Sequence, residues 1–488
     1  SLAPQITIVS PQSGTVLVSS AVSIKASIQD RGGKTKAPSG IQKVEFFVDD
    51  VKLGEVPGNS QISGTYECPT PWNTDGLKPG STHIIRVRAT DNLGQSSDAT
   101  LQVILSAEWT ILIYADAHND LGQALLNHLN DLITYLPSTK GVNILILAGL
   151  PNGDSVIWLH NGTQTLSPLP NFIDFGDPST LSNFILSSIQ AFPAKKYLLH
   201  LWDHGSGWRK RAKNQGTRDI CFDEIFNDDG LTIPELKQAL QTVVNKIGRK
   251  IDLLFLNACV MGAIEVDYEL KDLVSYCVSS EANFLDAPLW GEAYSKLVSN
   301  PAMSPADLGI TIADTYYKQA QGQSFATIAV KDYSRIDNIA NDIYYFAHYL
   351  RDCLPTYANR IMDLRDQTTR FQPFENVAPY YIDLYEFAYL VANNTSYDKL
   401  KTSAQNLMND IKVSTLLCKF FGVKSAQGYS IFFPSPTDWD PNWQDALNKY
   451  SSLDFVKADS GQEWIRFLVE ELQSLGKGAR VKSPQVMR

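Results

Sequence analysis

The hydrophobic pattern of the chain changes near residue 107, and this change limits the fold more than any other feature. Before it, short segments such as Ala21–Ile28 and His83–Ala89 alternate apolar and polar residues between turn sequences. After it, unbroken apolar stretches such as Trp109–Tyr114 alternate with segments of helical spacing. Short alternating strands predict a β-sandwich, whereas apolar strands between helices predict an α/β fold with a mainly parallel sheet. We therefore predict an all-β sandwich over residues 1–106 and an α/β domain over residues 107–488.

The α/β domain is expected to have two parts. Strands and helices alternate over residues 107–350, which we predict to be the core of the domain. Residues 351–488 are richer in helical patterns and are predicted to form a helical subdomain with a late strand at Gly428–Phe433.

The composition argues against several functional classes. Lys and Arg number 42 against 52 Asp and Glu, a net charge of −10, and nucleic-acid-binding proteins are usually basic. No apolar run approaches the ~20 residues that span a bilayer, so no membrane span is predicted. The 6 cysteines lie far apart without a CxxC pair, which argues against zinc knuckles and a disulfide scaffold.

Two predicted strands end in reactive side chains. Lys196–Leu201 leads to His204, and Ile251–Leu256 leads to Cys259. Ligands of an open parallel sheet bind beyond the carboxyl ends of the strands, so these side chains meet at one edge if the strands are neighbours. An imidazole beside a thiol favours the nucleophilic thiolate. Because cysteine is also a common core residue, the residues alone leave a nucleophile and a structural cysteine about equally open.

Backbone N–H groups near these residues predict a binding site for a developing negative charge. Cys259 precedes a predicted helix, Gly262–Asp272, whose N-terminus would face an anion. Gly205 has no side chain at a point where a substrate carbonyl must approach the backbone. We expect the N–H groups of Gly205 and Cys259 to form an oxyanion hole.

Two motifs resemble those of the clostripain-like cysteine peptidases, which are relatives of the caspases, legumains and gingipains. They are Leu199–Trp208, around His204, and Leu256–Gly262, around Cys259. Further matches are Tyr114 with Asn119–Leu121, Cys221–Glu224, Leu231–Leu236, Tyr381–Tyr385 and Gly428–Pro434. The resemblance covers residues 109–440 and implies a caspase-like α/β/α sandwich. It also implies an endopeptidase that forms a thioester acyl-enzyme, with His204 as the general base and Cys259 as the nucleophile.

The resemblance also indicates where a substrate side chain would bind. Family members often carry Asp two residues before the nucleophile, where it pairs with Arg or Lys of the substrate, and this chain has Asn257 there. A neutral amide removes that charge, so a preference for basic residues stays open, with Glu281 or Asp286 as substitute carboxylates. Ser280 and Glu281 follow the predicted strand Val274–Ser279, and we expect them to line the pocket with Asn257.

The segment after the first strand of the α/β domain departs from the family pattern. The family's Asp-Asn-Asp-Leu is His118-Asn119-Asp120-Leu121 here. We expect Asn119 and Asp120 to cap the following helix. His118 is expected to be a solvated loop residue, with a second catalytic histidine as the alternative.

Two charged loops are open to a structural or a functional interpretation. The basic loop after His204 is either a solvated surface or, by resemblance, a self-cleavage site, and it contains Arg209, Lys210, Arg211, Lys213 and Arg218. A second loop is acidic and is either a solvated surface or a calcium site. The calcium site is an alternative because some family members need calcium. It contains Asp223, Glu224, Asp228 and Asp229. The sequence requires no cofactor.

The N-terminal domain carries a resemblance of its own. Leu77–Ser97 is similar to the closing strands of bacterial immunoglobulin-like modules, which usually occur on exported proteins. Together with the peptidase resemblance, which implies a polypeptide substrate, this implies a secreted or cell-surface bacterial protein, periplasmic and outer-membrane-attached forms included, whose module binds a protein or a glycan. Two alternatives stay open: an inactive peptidase-like binding protein, and another Cys-dependent amidase or acyl transferase.

Overall fold

The computed structural model describes residues 2–12, 14–17, 21–160, 162–208, 220–284, 290–372, 380–434 and 443–474. The chain divides into two compact units. The first comprises Ser1–Thr110, Thr139–Asn143 and Ser187–Lys195, and the second comprises Ile111–Ser138, Ile144–Leu186 and Lys196–Arg488.

The first unit is a β-sandwich of immunoglobulin-like type, as the sequence predicts. Its strands are β1 (Gln5–Ser10), β2 (Thr15–Leu17), β3 (Ala21–Val22), β4 (Lys25–Gln29), β5 (Ile41–Val48), β6 (Val51–Pro57), β7 (Ser63–Glu67), β8 (Trp72–Asn73), β9 (Thr82–Asp91) and the first part of β10 (Ser96–Asp116), whose residues from Ile111 on belong to the second unit. One sheet has the order β1-β4-β7, and a second group pairs β6 with β5, β5 with β9 and β9 with β10. Alternate residues such as Ile85 and Val87 point into a shared core with Phe46 and Ile24, as expected for strands with one solvated face.

The second unit is an α/β domain. Its further strands are β11 (Val142–Gly149), β12 (Ser155–His160), β13 (Thr163–Pro168), β14 (Ala194–Trp202), β15 (Ile220–Asp223), β16 (Asp229–Leu231), β17 (Ile251–Asn257), β18 (Val274–Ser279), β19 (Ala326–Asp332), β20 (Arg370–Phe371), β21 (Tyr381–Asp383), β22 (Thr415–Phe421) and β23 (Ser430–Phe432). The main sheet has the order β13-β12-β11-β10-β14-β17-β18-β19-β22. Every residue of β11 is buried, so both faces of the sheet are covered there.

The sheet is mixed, whereas the sequence predicts a mainly parallel one. β14, β17 and β18 are parallel neighbours, but β18–β19, β19–β22, β11–β12 and β12–β13 are antiparallel pairs. Apolar strands buried on both faces read alike in either direction, so periodicity alone does not give strand direction.

The helices of the second unit occupy the connections between these strands and most of its C-terminal part. They are α1 (Gly122–Tyr135), α2 (Pro178–Ala191), α3 (Ile233–Ile247), α4 (Ile264–Leu270), α5 (Gly291–Ser299), α6 (Pro305–Gln319), α7 (Ile336–Gln367), α8 (Leu384–Asn394), α9 (Asp398–Ser414), α10 (Trp443–Tyr450), α11 (Asp454–Lys457) and α12 (Asp459–Ser474). Within the described ranges, no helix has both the length and the apolar character that crossing a membrane requires.

The register of two central strands positions the reactive side chains. β14 and β17 are adjacent and parallel, and Trp202 pairs with Asn257 at their carboxyl ends. His204 and Cys259 therefore occupy equivalent places, each two residues past a paired strand residue. The condition for the two reactive side chains to meet, that β14 and β17 are neighbours, is therefore fulfilled.

Candidate active site

Cys259 lies on a sharp turn at the end of β17. The next residue, Val260, has a φ of 50°, a left-handed conformation that is rare for a β-branched side chain and costs energy. Two backbone bonds fix the turn, from Val260 N to Ala282 O (3.1 Å) and from Gly262 N to Ser280 O (2.7 Å). Such strain is typical of functional sites, where the surrounding structure holds it in place.

The helix after Cys259 is shorter than the sequence predicts. The prediction was Gly262–Asp272, but α4 begins only at Ile264 and ends at Leu270. The turn through Val260 therefore separates Cys259 from the first residue of the helix in the chain.

Gly205 brings the backbone after His204 against the backbone of Cys259. A Cβ added to Gly205 would lie 2.7 Å from the carbonyl oxygen of Cys259 and 2.9 Å from its nitrogen. Any larger residue would therefore force the two segments apart. This close approach is the structural reason for glycine at the position, and it joins the histidine segment to the cysteine segment.

The imidazole of His204 is oriented by Asp120. Nε2 of His204 lies 2.8 Å from Oδ1 of Asp120, and the His204 side chain is 16% exposed. A carboxylate accepts hydrogen bonds, so the proton of the neutral ring resides on Nε2 and Nδ1 carries the lone pair. The predicted helix-capping role of Asp120 is wrong, because its carboxylate pairs with the histidine, and Asn119 instead accepts from the Leu121 N–H at 2.9 Å.

His118 is buried, which contradicts the expectation of a solvated loop residue. Its Nδ1 lies 2.8 Å from Asp223 Oδ2 and its Nε2 lies 2.7 Å from Asp154 Oδ1, with no exposure of these three side chains. Burial by itself would lower the pKa of His118, but the hydrogen bonds to Asp154 and Asp223 outweigh it and raise the pKa to about 10. The ring is therefore an imidazolium that joins two carboxylates, with no sign of a second catalytic histidine.

A metal ion is a second interpretation of this cluster. Among the described residues, Asp116, His118 and Asp223 form the one group of three whose ligand-type atoms all lie within 4.8 Å of one another. Both ring nitrogens of His118 already face carboxylate oxygens at hydrogen-bond distance, whereas a metal ligand would keep one nitrogen for the ion. The geometry thus fits an ion pair.

Among the described residues, the four acidic side chains of the loop that is open to a solvated or a calcium-binding interpretation do not form a group whose ligand atoms all lie within 4.8 Å of one another. Asp223 is buried and accepts hydrogen bonds from the N–H groups of Ile225 (2.9 Å) and Phe226 (3.2 Å). Glu224 and Asp228 are exposed. A calcium ion needs six to eight convergent oxygens, and a calcium role for this loop stays a prediction.

Asn257 is held in an aromatic environment. Its Oδ1 accepts a hydrogen bond from Nε1 of Trp290 at 3.2 Å and lies 3.2 Å from Nε2 of His200. His200 is fully buried, as predicted for a core residue, and its Nδ1 lies 2.8 Å from the hydroxyl of Tyr294. Asn257 is 9% exposed. It is the last residue of β17, so it lies at the sheet edge and is almost buried.

Ser280 and Glu281 do not line an open pocket, contrary to the prediction. The hydroxyl of Ser280 bonds to Thr327 Oγ1 at 2.6 Å, and Glu281 Oε2 accepts from Gly428 N at 2.7 Å. Glu281 is 2% exposed, and burial, reinforced by the charge of Asp383, raises its pKa well above the usual range. The chain turns inward after β18, which its sequence does not reveal.

Other predicted site residues lie outside the described residues. Asp286, predicted to line the pocket, falls in the range 285–289, and the basic loop falls in the range 209–219. The loop residues are Arg209, Lys210, Arg211, Lys213 and Arg218. Their predicted roles stay predictions.

The site includes a residue that sequence reasoning missed, Asp120. A signal was present, because the polar segment His118–Asp120 follows the apolar strand β10, next to β14 in the sheet. Three neighbouring strands thus end in polar residues at one edge. The end of β10 also has the pattern of a helix start, and this hides the role of Asp120 in the site.

Family profiles match both units. A profile described as a bacterial Ig domain matches residues 4–87, and one described as the clostripain family matches residues 113–468. Clostripain of Hathewaya histolytica is 27% identical over 192 residues, which cover 33% of this chain and 36% of clostripain. The aligned segment is thus well under two thirds of that relative's length.

Solved protease structures share the fold. A secreted cysteine protease from Bacteroides thetaiotaomicron, in complex with an irreversible peptide inhibitor, superposes with a TM-score of 0.54 at 18% identity, covering 72% of this chain and 99% of that one. An inactive zymogen protease from Parabacteroides distasonis gives 0.55 at 17% identity, covering 73% and 98%.

Proposed function

Because the chain belongs to the clostripain family of cysteine peptidases, we propose that it is a secreted cysteine endopeptidase with Cys259 as nucleophile and His204 as general base. The observation that supports this most is the register of β14 and β17, which places both residues just past the same sheet edge. The contact of Gly205 with the Cys259 backbone joins the two segments there.

The reaction follows from these groups. The thiol proton of Cys259 passes to Nδ1 of His204, the ring nitrogen opposite the one that faces Asp120. The sulfur then bonds to the scissile carbonyl carbon, and the N–H groups of Gly205 and Cys259 stabilise the oxyanion. The C–N bond breaks as the imidazolium donates its proton to the leaving amine. Water, deprotonated by His204, hydrolyses the thioester and restores the thiol.

Secretion and a polypeptide substrate are part of the proposal. The Bacteroides thetaiotaomicron protease of the same fold is described as secreted and was captured with a peptide inhibitor. The immunoglobulin-like unit agrees with export, since such modules usually occur on exported proteins. We propose that this unit binds a protein or a glycan.

Iodoacetamide is expected to modify Cys259 before any other cysteine and to stop peptide hydrolysis. Cys259 is partly exposed, whereas Cys221 and Cys277 are fully buried. Burial raises the pKa of Cys277 to about 12 and that of Cys221 well above its usual range, so their thiolates are scarce near neutral pH. Peptide mapping after timed labelling, with residual activity measured in parallel, checks this.

The labelling experiment also separates the alternatives. Rapid labelling of Cys259 without hydrolysis of any peptide in a library would favour a binding protein. Hydrolysis of small amides without cleavage of peptides would favour an amidase. Hydrolysis that survives complete alkylation of Cys259 contradicts the proposed nucleophile.

Asp120→Asn is expected to lower kcat by about ten- to a hundred-fold with little change in KM, because an amide orients the imidazole less firmly and does not stabilise its charged form. The matched control is Asp337→Asn, which removes a similarly exposed carboxylate that pairs with Lys271. Steady-state kinetics of both variants on one peptide measure the effect. Equal activity in the two variants would show that Asp120 does not act on His204.

A further inference from the structure

A cavity lies at the carboxyl end of β17, next to Asn257, which precedes Cys259 by two residues. Side chains two residues apart in a strand share a face, so Phe255 and Asn257 lie on one face of β17. Both line the cavity, together with Trp290, Tyr294 and Tyr316. It therefore extends along β17 toward the strand end that carries the nucleophile.

Phe284 connects the sulfur with the cavity wall. The Sγ atom of Cys259 lies 4.0 Å from the carbonyl oxygen of Phe284. The Phe284 ring packs edge-on against Phe255 at 6.1 Å and against Tyr316 at 4.7 Å between ring centres. A side chain next to a scissile bond at Cys259 thus has this cavity beside it.

The orientation of the Asn257 amide follows from its neighbours. The indole nitrogen of Trp290 is a donor only, so the atom 3.2 Å from it must be the oxygen. Burial lowers the pKa of His200 to about 3, so its ring is neutral, and its Nδ1 accepts from the Tyr294 hydroxyl at 2.8 Å. Nε2 of His200 then carries the hydrogen and donates to the same Asn257 oxygen.

Both acceptor positions of Oδ1 are thereby used by groups of the interior. The Nδ2 group of Asn257 points the other way and has two hydrogens to donate, with no protein partner for it among the described residues. The cavity wall around it is aromatic and aliphatic, with a single hydroxyl from Thr315 beyond the tyrosines and no charged side chain in the described lining. The described wall thus offers an amide donor and hydroxyl groups, but no negative charge.

Resting on the proposed peptidase function, we propose that Asn257 selects substrates in which the residue before the scissile bond is Asn or Gln. The carbonyl oxygen of such a side chain accepts from Asn257 Nδ2. Lys or Arg would bring a positive charge into an apolar cavity whose described lining has no carboxylate, and an unpaired buried charge is costly. Glu281 cannot neutralise it, because its carboxylate is buried against Gly428.

The native chain tests the proposal directly. A peptide library randomised at the position before the cut is expected to show kcat/KM at least about ten-fold higher for Asn and Gln than for Lys and Arg, the scale that one matched polar contact supplies. Iodoacetamide-treated enzyme is the background control. Absence of any iodoacetamide-sensitive cleavage would refute the peptidase function itself, whereas iodoacetamide-sensitive cleavage after Lys or Arg would overturn only the specificity.

Asn257→Asp is the informative variant. One carboxylate oxygen keeps the bonds from Trp290 and His200 while the other introduces a negative charge, so the preference is expected to move at least about ten-fold toward Lys and Arg. Asn245→Asp, on the exposed face of α3, is the matched control and should keep the native profile. An unchanged cleavage profile in a folded Asn257→Asp protein contradicts the proposal. Cleavage after Lys by the native chain that is lost in Asp286→Asn also contradicts it. If Asn257→Asp does not fold, the cleavage profile of the native chain decides alone.

Discussion

Cys259→Ala is expected to lower kcat/KM for peptide hydrolysis by at least about a thousand-fold, because covalent catalysis has no substitute once the nucleophile is gone. The change removes one sulfur from a partly exposed turn. Folding stability is therefore expected to change by less than about 1 kcal/mol. Progress curves at high enzyme concentration, together with urea denaturation of the same samples, measure both quantities.

The control for this variant is Cys418→Ala. Cys418 is the other cysteine that is only partly buried, and its Sγ lies 2.8 Å from the carbonyl oxygen of Ala426. Its replacement should leave kcat/KM within about two-fold, because the residue lies in β22, away from the carboxyl ends of β14 and β17. If Cys259→Ala retained activity, or if both variants lost it equally, Cys259 would not be the nucleophile.

The placement of the reactive residues could be predicted from local patterns. An apolar run that stops at a polar residue marks the end of a buried strand, and parallel neighbours end at one edge. This reasoning places His204 and Cys259 at the same edge, where the structure has them. It required the assumption that β14 and β17 are adjacent, which no local pattern states.

Contacts between segments distant in sequence could not be predicted in this way. His204 and Asp120 are 84 residues apart, and the turn at Val260 depends on hydrogen bonds that it donates to carbonyl oxygens of the segment after β18. A β-branched residue gives no sequence signal for a left-handed conformation, since its propensity opposes it. The surrounding structure imposes that conformation.

Ser280 shows that a local pattern can also predict an open site where the structure has none. Its position after β18 satisfied the rule for an edge residue, yet its hydroxyl bonds to Thr327 on β19. β18 and β19 are antiparallel, so the chain beyond β18 is covered by the start of β19 instead of opening to solvent. The rule for strand ends applies between parallel neighbours, and it fails where the sheet becomes antiparallel.

His118→Leu is expected to lower the free energy of unfolding by about 3–5 kcal/mol, the cost of removing one partner from a buried ion pair. The imidazolium joins Asp154 and Asp223, which lie 36 and 105 residues away in sequence. Leucine has a similar size but no charge, so it leaves two buried carboxylates without their positively charged partner. Urea denaturation near pH 6 measures the loss, and His160→Leu, which replaces a half-buried histidine bonded to Thr165, is the control. A loss below about 1 kcal/mol would show that the pair is not a structural element.

The stabilisation by His118 should also depend on pH, with a definite sign. The folded pKa of about 10 lies above the unfolded value of about 6.5, so the folded state binds the proton more tightly. The contribution is therefore complete below about pH 6.5 and is lost progressively as the pH rises toward 10. The groups that face the ring are Asp116, Asp154 and Asp223, and burial together with the charge of Asp203 raises the pKa of Asp116 well above its usual range.

This dependence can be isolated from other titrating groups by comparing the native chain with His118→Leu at each pH. Tyrosine and lysine side chains also titrate near pH 10, but they are common to both proteins and cancel in the difference. The gap in the free energy of unfolding should be widest near pH 6 and should narrow steadily toward pH 10. A gap that stays constant over this range would mean that His118 is neutral in the folded protein, and the carboxylates around it would then have to carry the protons instead.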